Sequence, residues 1–142
     1  MLPLFATADH VSIVAAFVQE SGLHRIRPAV LSALARGARV RLLTGDYLDI
    51  TQASALEMLL DWQSLGTDGG ADERQAEAED GGEGAPAGTL EARVVEVATL
   101  PGARPAFHPK AWRFESDTYG VAFVGSSNLS RSALDTGIEW NL

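Results

Sequence analysis

The stretch Val11-Ser-Ile-Val-Ala-Ala-Phe-Val18 is a continuous apolar run of strand length. Such a run is the pattern of a strand buried on both faces of a sheet. Leu23, Ile26, Val30, Leu31 and Leu34 follow at the spacing of one helix face. Pro28 fits that helix only near its first turn, and Gly37 is placed to end it. Arg39-Val-Arg-Leu-Leu-Thr44 reads as a second strand. Leu56, Leu59 and Leu60 then mark a second helix, with Asp49 or Thr51 as its cap. Strand, helix, strand, helix in this order argues for an α/β fold built on parallel strands.

Beyond this unit, Gly66 to Gly88 is rich in glycine, alanine and acids and shows no periodicity. It reads as a disordered surface insertion, bounded at 67–89. Order resumes at Leu90-Glu-Ala-Arg-Val-Val-Glu-Val97, an alternating strand. Ala106–Glu115 and Gly120–Gly125 read as a strand hairpin, Ser130–Asp135 as a short helix stopped by Gly137, and Ile138–Leu142 as the start of another strand. The expected architecture is a mixed, mainly parallel sheet with helices on both faces. Residues 1–142 are expected to form one such domain, incomplete at both ends.

Composition narrows the function. The chain has 142 residues, is 46% hydrophobic and contains no cysteine. Disulfide scaffolds, thiolate metal sites and cysteine nucleophiles are therefore excluded. No apolar run reaches the ~18 residues of a membrane span. Met1–Phe5 lacks the basic start and cleavage pattern of a signal peptide, so a cytoplasmic protein without a membrane partner is expected. The net charge of −8 argues against a phosphate ligand at first sight. However, Asp68, Asp72, Glu73, Glu77, Glu79, Asp80 and Glu83 crowd between Thr67 and Thr89 beside the single base Arg74. The remainder holds 12 acids against 10 bases and is nearly neutral. The insertion reads as a solvated linker. A sharper reading makes it a phosphate mimic that weakens nonspecific nucleic-acid binding.

The chemistry-bearing residues gather near the end of the chain. Lys110 is the only lysine, and it lies two residues from His108. On a strand, residues i and i+2 share a face, so imidazole and ammonium are expected side by side. Gly125-Ser126-Ser127-Asn128 follows the next strand and enters a helical stretch. Backbone N–H groups at a helix start, with serine and asparagine donors, favour an anion. Base, cation and anion cradle at one sheet edge suit a phosphate. No metal or other cofactor is called for.

His108-x-Lys110 followed by Gly125-Ser126-x-Asn128 resembles the signature of the phospholipase D superfamily. That signature places four residues and an Asp after the lysine, then about six residues before Gly-Ser-x-Asn. Here the corresponding residue is Glu115, with nine residues between it and Gly125, and Asp117 is the alternative. Ala15–Phe17, Ser21-Gly22, the segment Gly37–Thr51 and Val121–Ser130 are similar to one branch, the nuclease-like module at the front of bacterial DEAD/DEAH-box helicases. The resemblance covers nearly the whole chain outside the acidic insertion.

This resemblance implies a phospholipase D-like fold and metal-independent phosphodiester cleavage through a phosphohistidine at His108. A second histidine would protonate the leaving oxygen. Lys110, Ser126 and Asn128 would hold the phosphate oxygens. Glu139 would orient His108 as the third member of a triad does. A single motif copy implies a homodimer with two motifs paired across a two-fold axis. Nucleic acid is the implied partner, DNA ahead of RNA, with a helicase as a further one. The alternatives are a noncatalytic phosphate- or nucleic-acid-binding module of such a helicase, or a truncated fragment of one.

Each residue also has a plainer reading. Glu139 could simply be an exposed strand carboxylate, and Ser126 and Ser127 could cap the following helix. His10 and His24 read as surface or helix-start residues, and Asp46, Tyr47 and Asp49 as turn and cap chemistry at a strand end. Trp112 and Phe114 alternate with Lys110 and Arg113. That spacing resembles a base-stacking strip, but aromatics on such a strand are chiefly core.

Overall fold

A computed structural model describes residues 1–46, 50–68, 88–102 and 106–136. After a turn of 3-10 helix at Leu2–Ala6 come β1 (His10–Ala15), α1 (Glu20–Ala35), β2 (Arg39–Gly45), α2 (Ala53–Asp68), β3 (Thr89–Val95), β4 (Ala111–Glu115) and β5 (Gly120–Val124). The five strands form one sheet in the order β3-β2-β1-β4-β5. β1 pairs in parallel with β2 from His10–Arg39 to Ala15–Thr44, and β2 with β3 from Arg39–Thr89 to Gly45–Val95. β4 runs antiparallel to β1, and β5 antiparallel to β4. The fold is α/β with a mixed sheet. Parallel pairings do not outnumber antiparallel ones, because the β4–β5 hairpin inserts its first strand beside β1 in the reverse direction.

Both helices lie on one face. Each joins two adjacent parallel strands in the same direction, and crossovers of one hand then fall on the same side. Burial alternates accordingly. Val11, Ile13 and Ala15 of β1 are buried, while His10 is exposed and Ser12 and Val14 are half-exposed. Arg39 and Arg41 of β2 and Arg113 of β4 are exposed beside buried Val40, Leu42, Trp112 and Phe114. Among the described residues, no helix covers this second face. The expectations of helices on both faces and of a doubly buried first strand are therefore corrected. An uninterrupted apolar run looks the same whether one face or two is covered, and the partly exposed residues here are the small ones, Ser12 and Val14.

The covered side carries the core. Phe5 meets Phe114 edge-on at 5.1 Å between ring centroids, and Trp112 stacks on Phe114 at 6.3 Å. The aromatics of β4 are thus core, not a stacking strip. Leu23, Ile26, Val30 and Leu34 of α1 are buried, as their spacing predicts. α1 begins at Glu20, eight positions before Pro28, so Pro28 lies inside the helix and not in its first turn. It stands on the exposed side, where water can satisfy the carbonyl that its missing N–H leaves behind. Gly37, at φ 92°, ends α1. Gly37 N–H donates to Leu34 O and Ala38 N–H to Ala33 O, closing the helix with a left-handed residue.

In α2 the buried stripe is Ala55, Leu59 and Trp62, whereas Leu60 is 61% exposed. Leu60 was expected inside, but it lies one position off the i, i+4, i+7 face. Thr67 and Asp68 belong to α2, and Thr89 opens β3. The insertion expected at 67–89 therefore has ordered ends, while 69–87 lie outside the described residues. Ser132–Thr136 forms one π-helical turn in place of the helix expected at Ser130–Asp135. Gly137 and the strand expected at Ile138–Leu142 lie outside the described residues.

Candidate functional site

Strand direction brings the motif to one edge of the sheet. β1, β2 and β3 end there, β4 starts there and β5 ends there. The strand expected from Ala106 begins at Ala111, so His108 and Lys110 occupy the irregular approach to β4. The ladder reaches one step past the strands, since Gly125 N–H donates to the Lys110 carbonyl. Lys110 thereby shares the covered side with Trp112 and Phe114, and is 8% exposed.

His108 and Lys110 meet as their spacing predicts. Lys110 Nζ lies 2.6 Å from His108 Nδ1 and donates to the His108 carbonyl at 2.9 Å. An ammonium has no acceptor, so Nδ1 accepts in this contact. A neutral ring in this contact would carry its proton on Nε2.

Asn128 is the second anchor. Its Oδ1 accepts from the backbone N–H groups of Ala16 at 3.1 Å and Phe17 at 3.4 Å. Those amides follow β1, so Asn128 fixes the loop between β1 and α1. Nearby, Gln19 N–H donates to the Leu129 carbonyl, and Val18 forms a parallel bridge with Leu129. With Oδ1 engaged, the amide N–H₂ of Asn128 is the part suited to an anion. Ser126 is half-buried and Ser127 buried in the same segment. No regular helix starts at Ser126–Asn128, so a helix N-terminus is not part of the arrangement, contrary to the sequence reading.

Two residues unremarked as structural ties complete the edge. Thr51 Oγ1 donates to the Gly45 carbonyl and accepts from Val18 N–H at 3.4 Å, and Gln52 Oε1 accepts from Glu20 N–H at 2.8 Å. Thr51 thus joins the ends of β1 and β2 and is not a helix cap. The only sequence signal for this role is a polar pair just before a helix, which reads equally as a cap. Thr44 is fully buried, and its hydroxyl finds no partner among the described residues.

Other candidates lie elsewhere. Glu115 ends β4 opposite His10 and Gly120, pairing with Arg113 at 2.6 Å, and Asp117 is exposed in the following turn. Glu115 lies five steps of extended chain from Lys110, about 17 Å. Neither acid joins His108. His10 starts β1 at that far end, and His24 is held by Glu20 at 3.3 Å on the exposed side of α1. Asp46 accepts from Val97 N–H at 2.8 Å, which is turn chemistry as read from the sequence. Glu139, Tyr47 and Asp49 lie outside the described residues.

Among the described residues, no group of three His, Asp or Glu side chains is placed to hold a metal ion, and no helix is long and apolar enough to cross a membrane. No protein-family model matches the chain, and no curated protein matches it.

Proposed function

We propose that the chain is a phosphodiester-binding domain of the phospholipase D-like type, cleaving nucleic acid without a metal through His108. The supporting observation is the contact of a largely buried ammonium with an exposed imidazole, 2.6 Å apart, at the edge where Asn128 secures the loop after β1. An ammonium beside an imidazole at a sheet edge is suited to charge-assisted hydrogen bonds with the oxygens of a phosphate.

In this reading the entering phosphate draws Lys110 off Nδ1 onto a non-bridging oxygen, and Asn128 N–H₂ and Ser126 take the others. The ring proton can then move to Nδ1, with Glu139 as the acceptor that the resemblance implies, and the Nε2 lone pair is released. Nε2 attacks phosphorus, and the bond to the leaving ester oxygen breaks. A second imidazolium gives that oxygen its proton. Water then attacks the phosphohistidine, returns a proton to the second imidazole and frees His108 as a phosphomonoester departs. His10 starts β1 at the far end of the strands, and the resemblance implies that the second imidazole comes from another copy of the chain in a homodimer.

The test is cleavage of labelled DNA and RNA in EDTA, beside bis(p-nitrophenyl) phosphate as a small diester, with mass measured by light scattering. EDTA-resistant turnover by a dimer, lost at least ~100-fold in His108→Ala, supports the reading. A folded chain that binds phosphodiesters without turning them over overturns it. That result favours a noncatalytic binding module beside a helicase.

A further inference from the structure

The open face of the sheet is chemically unlike the rest of the molecule. Four of the ten arginines project from it: Arg39 and Arg41 on β2, Arg93 on β3 and Arg113 on β4. The register sets them in rows. Thr89, Arg39, His10 and Glu115 stand side by side, then Glu91, Arg41, Ser12 and Arg113, then Arg93, Leu43, Val14 and Ala111. Two acids share the face. Glu91 is bonded by Arg93 at 2.7 Å and approached by Arg41 at 3.7 Å, and Glu115 is paired with Arg113. Arg39 has no acidic partner among the described residues. The face thus carries a net charge of +2, before any charge on His10, in a chain whose net charge is −8.

We infer that this face binds the phosphate backbone of a nucleic acid strand. Arg39 and Arg41 are two residues apart on one strand, about 6.7 Å, and Arg41 and Arg113 flank β1 at about 9.5 Å. Repeating cations at these spacings meet successive phosphates, and the planar guanidinium fork fits a phosphate's oxygens. A hollow of about 230 Å³ lies among them, lined by His10, Ser12, Arg39, Arg41 and Glu115. The chemistry favours nucleic acid over an acidic protein. Protein interfaces centre on desolvated aromatic and apolar anchors with charges at the rim, whereas here the centre is charged. The aliphatic residues Leu43, Val14 and Ala111 lie at the margin nearest His108, and no aromatic ring stands in these rows. The choice of nucleic acid as the polyanion rests on the reading of the His108 site, but the face is a separate surface.

The test is binding of a labelled single-stranded DNA oligonucleotide by fluorescence anisotropy across a salt series, with bis(p-nitrophenyl) phosphate turnover measured in parallel. Arg39→Glu and Arg41→Glu are each expected to weaken binding ~5–10-fold and to lower the slope of log affinity on log salt by about 0.7. Arg27→Glu, on the exposed side of α1, makes the same change in net charge and is expected to stay within ~2-fold. Because Arg41→Glu sets like charges beside Glu91, the pair Arg39→Gln and Arg41→Gln provides a milder version, checked by thermal melting. The inference is overturned if the β2 variants leave affinity and slope unchanged, or if Arg27→Glu weakens binding as much as they do. Binding that depends on Arg39 and Arg41 without small-diester turnover would sustain the face and overturn cleavage at His108. Turnover lost in His108→Ala, with binding indifferent to the β2 variants, would do the reverse.

Discussion

The two faces of the sheet have almost opposite chemistry, although adjacent residues of the same strands supply both. On β4, Trp112 and Phe114 are buried against the helices, while Arg113 between them reaches solvent. On β2, Val40 and Leu42 are buried, and Arg39 and Arg41 are exposed. Period-two alternation therefore separates the tasks, with cohesion on one side and charge on the other. The site edge lies where the faces meet. There Lys110 continues the covered side of β4 yet carries a charge.

The largest test of this division compares neighbours on β4. Phe114 is fully buried and touches Phe5, Trp112 and Phe123. Phe114→Ala is expected to cost about 3–5 kcal/mol, from lost burial and the cavity left behind. Arg113 is exposed, and its pair with Glu115 is a surface one, so Arg113→Ala is expected to cost less than about 1 kcal/mol. Urea unfolding of both variants checks the ratio. Similar losses would mean that the open face is covered in solution.

A second test lies where α1 packs on the segment after Asn128. A Cβ added at Gly22 would fall 2.3 Å from the carbonyl carbon and oxygen of Leu129. Helix propensity alone makes Gly→Ala favourable by about 1 kcal/mol inside a helix. Here the obstruction is backbone, which cannot turn aside, so Gly22→Ala is expected to destabilise by about 1–3 kcal/mol. The sign of the change decides which effect wins. A stabilised variant would show that α1 does not seat on Leu129.

These contrasts explain what could be read from the chain. β1, α1, β2 and the β4–β5 hairpin follow from local periodicity, although β1 ends at Ala15 and not Val18, α1 starts well before Pro28, and β4 starts at Ala111 and not Ala106. Which faces are covered does not follow, because burial of Val14 or Leu60 depends on what lies opposite in space. Pro28 misled for the same reason, since its place on the exposed side of α1 is tertiary information. At the site, His108 and Lys110 were legible because i, i+2 spacing brings them together. The grip of Asn128 on Ala16 and Phe17 was not, because it joins residues 112 and 111 positions apart. Glu115 was misplaced because its nearness to Lys110 in sequence is spent in extended chain along β4.

Asn128 offers a test that separates holding the edge from using it. Asn128→Ala removes the acceptor from two backbone N–H groups and is expected to cost about 1–3 kcal/mol. Asn128→Asp keeps an acceptor there but replaces the N–H₂ donor with a second oxygen. Its stability is expected within about 1 kcal/mol of the parent, while inorganic phosphate binding, followed by NMR titration, should be lost. Phosphate binding retained in Asn128→Asp would remove Asn128 from the anion site and leave it only a structural tie.

The smallest effect is expected at Thr44, in line with Ala15 across β1 and β2. It is a polar residue on the cohesive face, fully buried, with a hydroxyl that has no partner among the described residues. Leaving such a group unsatisfied costs about 1–3 kcal/mol, whereas an apolar replacement of the same shape removes that cost. Thr44→Val is therefore expected to be neutral or stabilising by up to about 1 kcal/mol, the opposite sign from Phe114→Ala and Asn128→Ala. A loss of more than about 1 kcal/mol would mean that the hydroxyl is satisfied in solution, by water or by a bound group at the edge near Lys110. Repeating the measurement with added phosphate separates those two. If phosphate stabilises the parent more than Thr44→Val, the hydroxyl belongs to the anion site. Equal stabilisation of both leaves it to water.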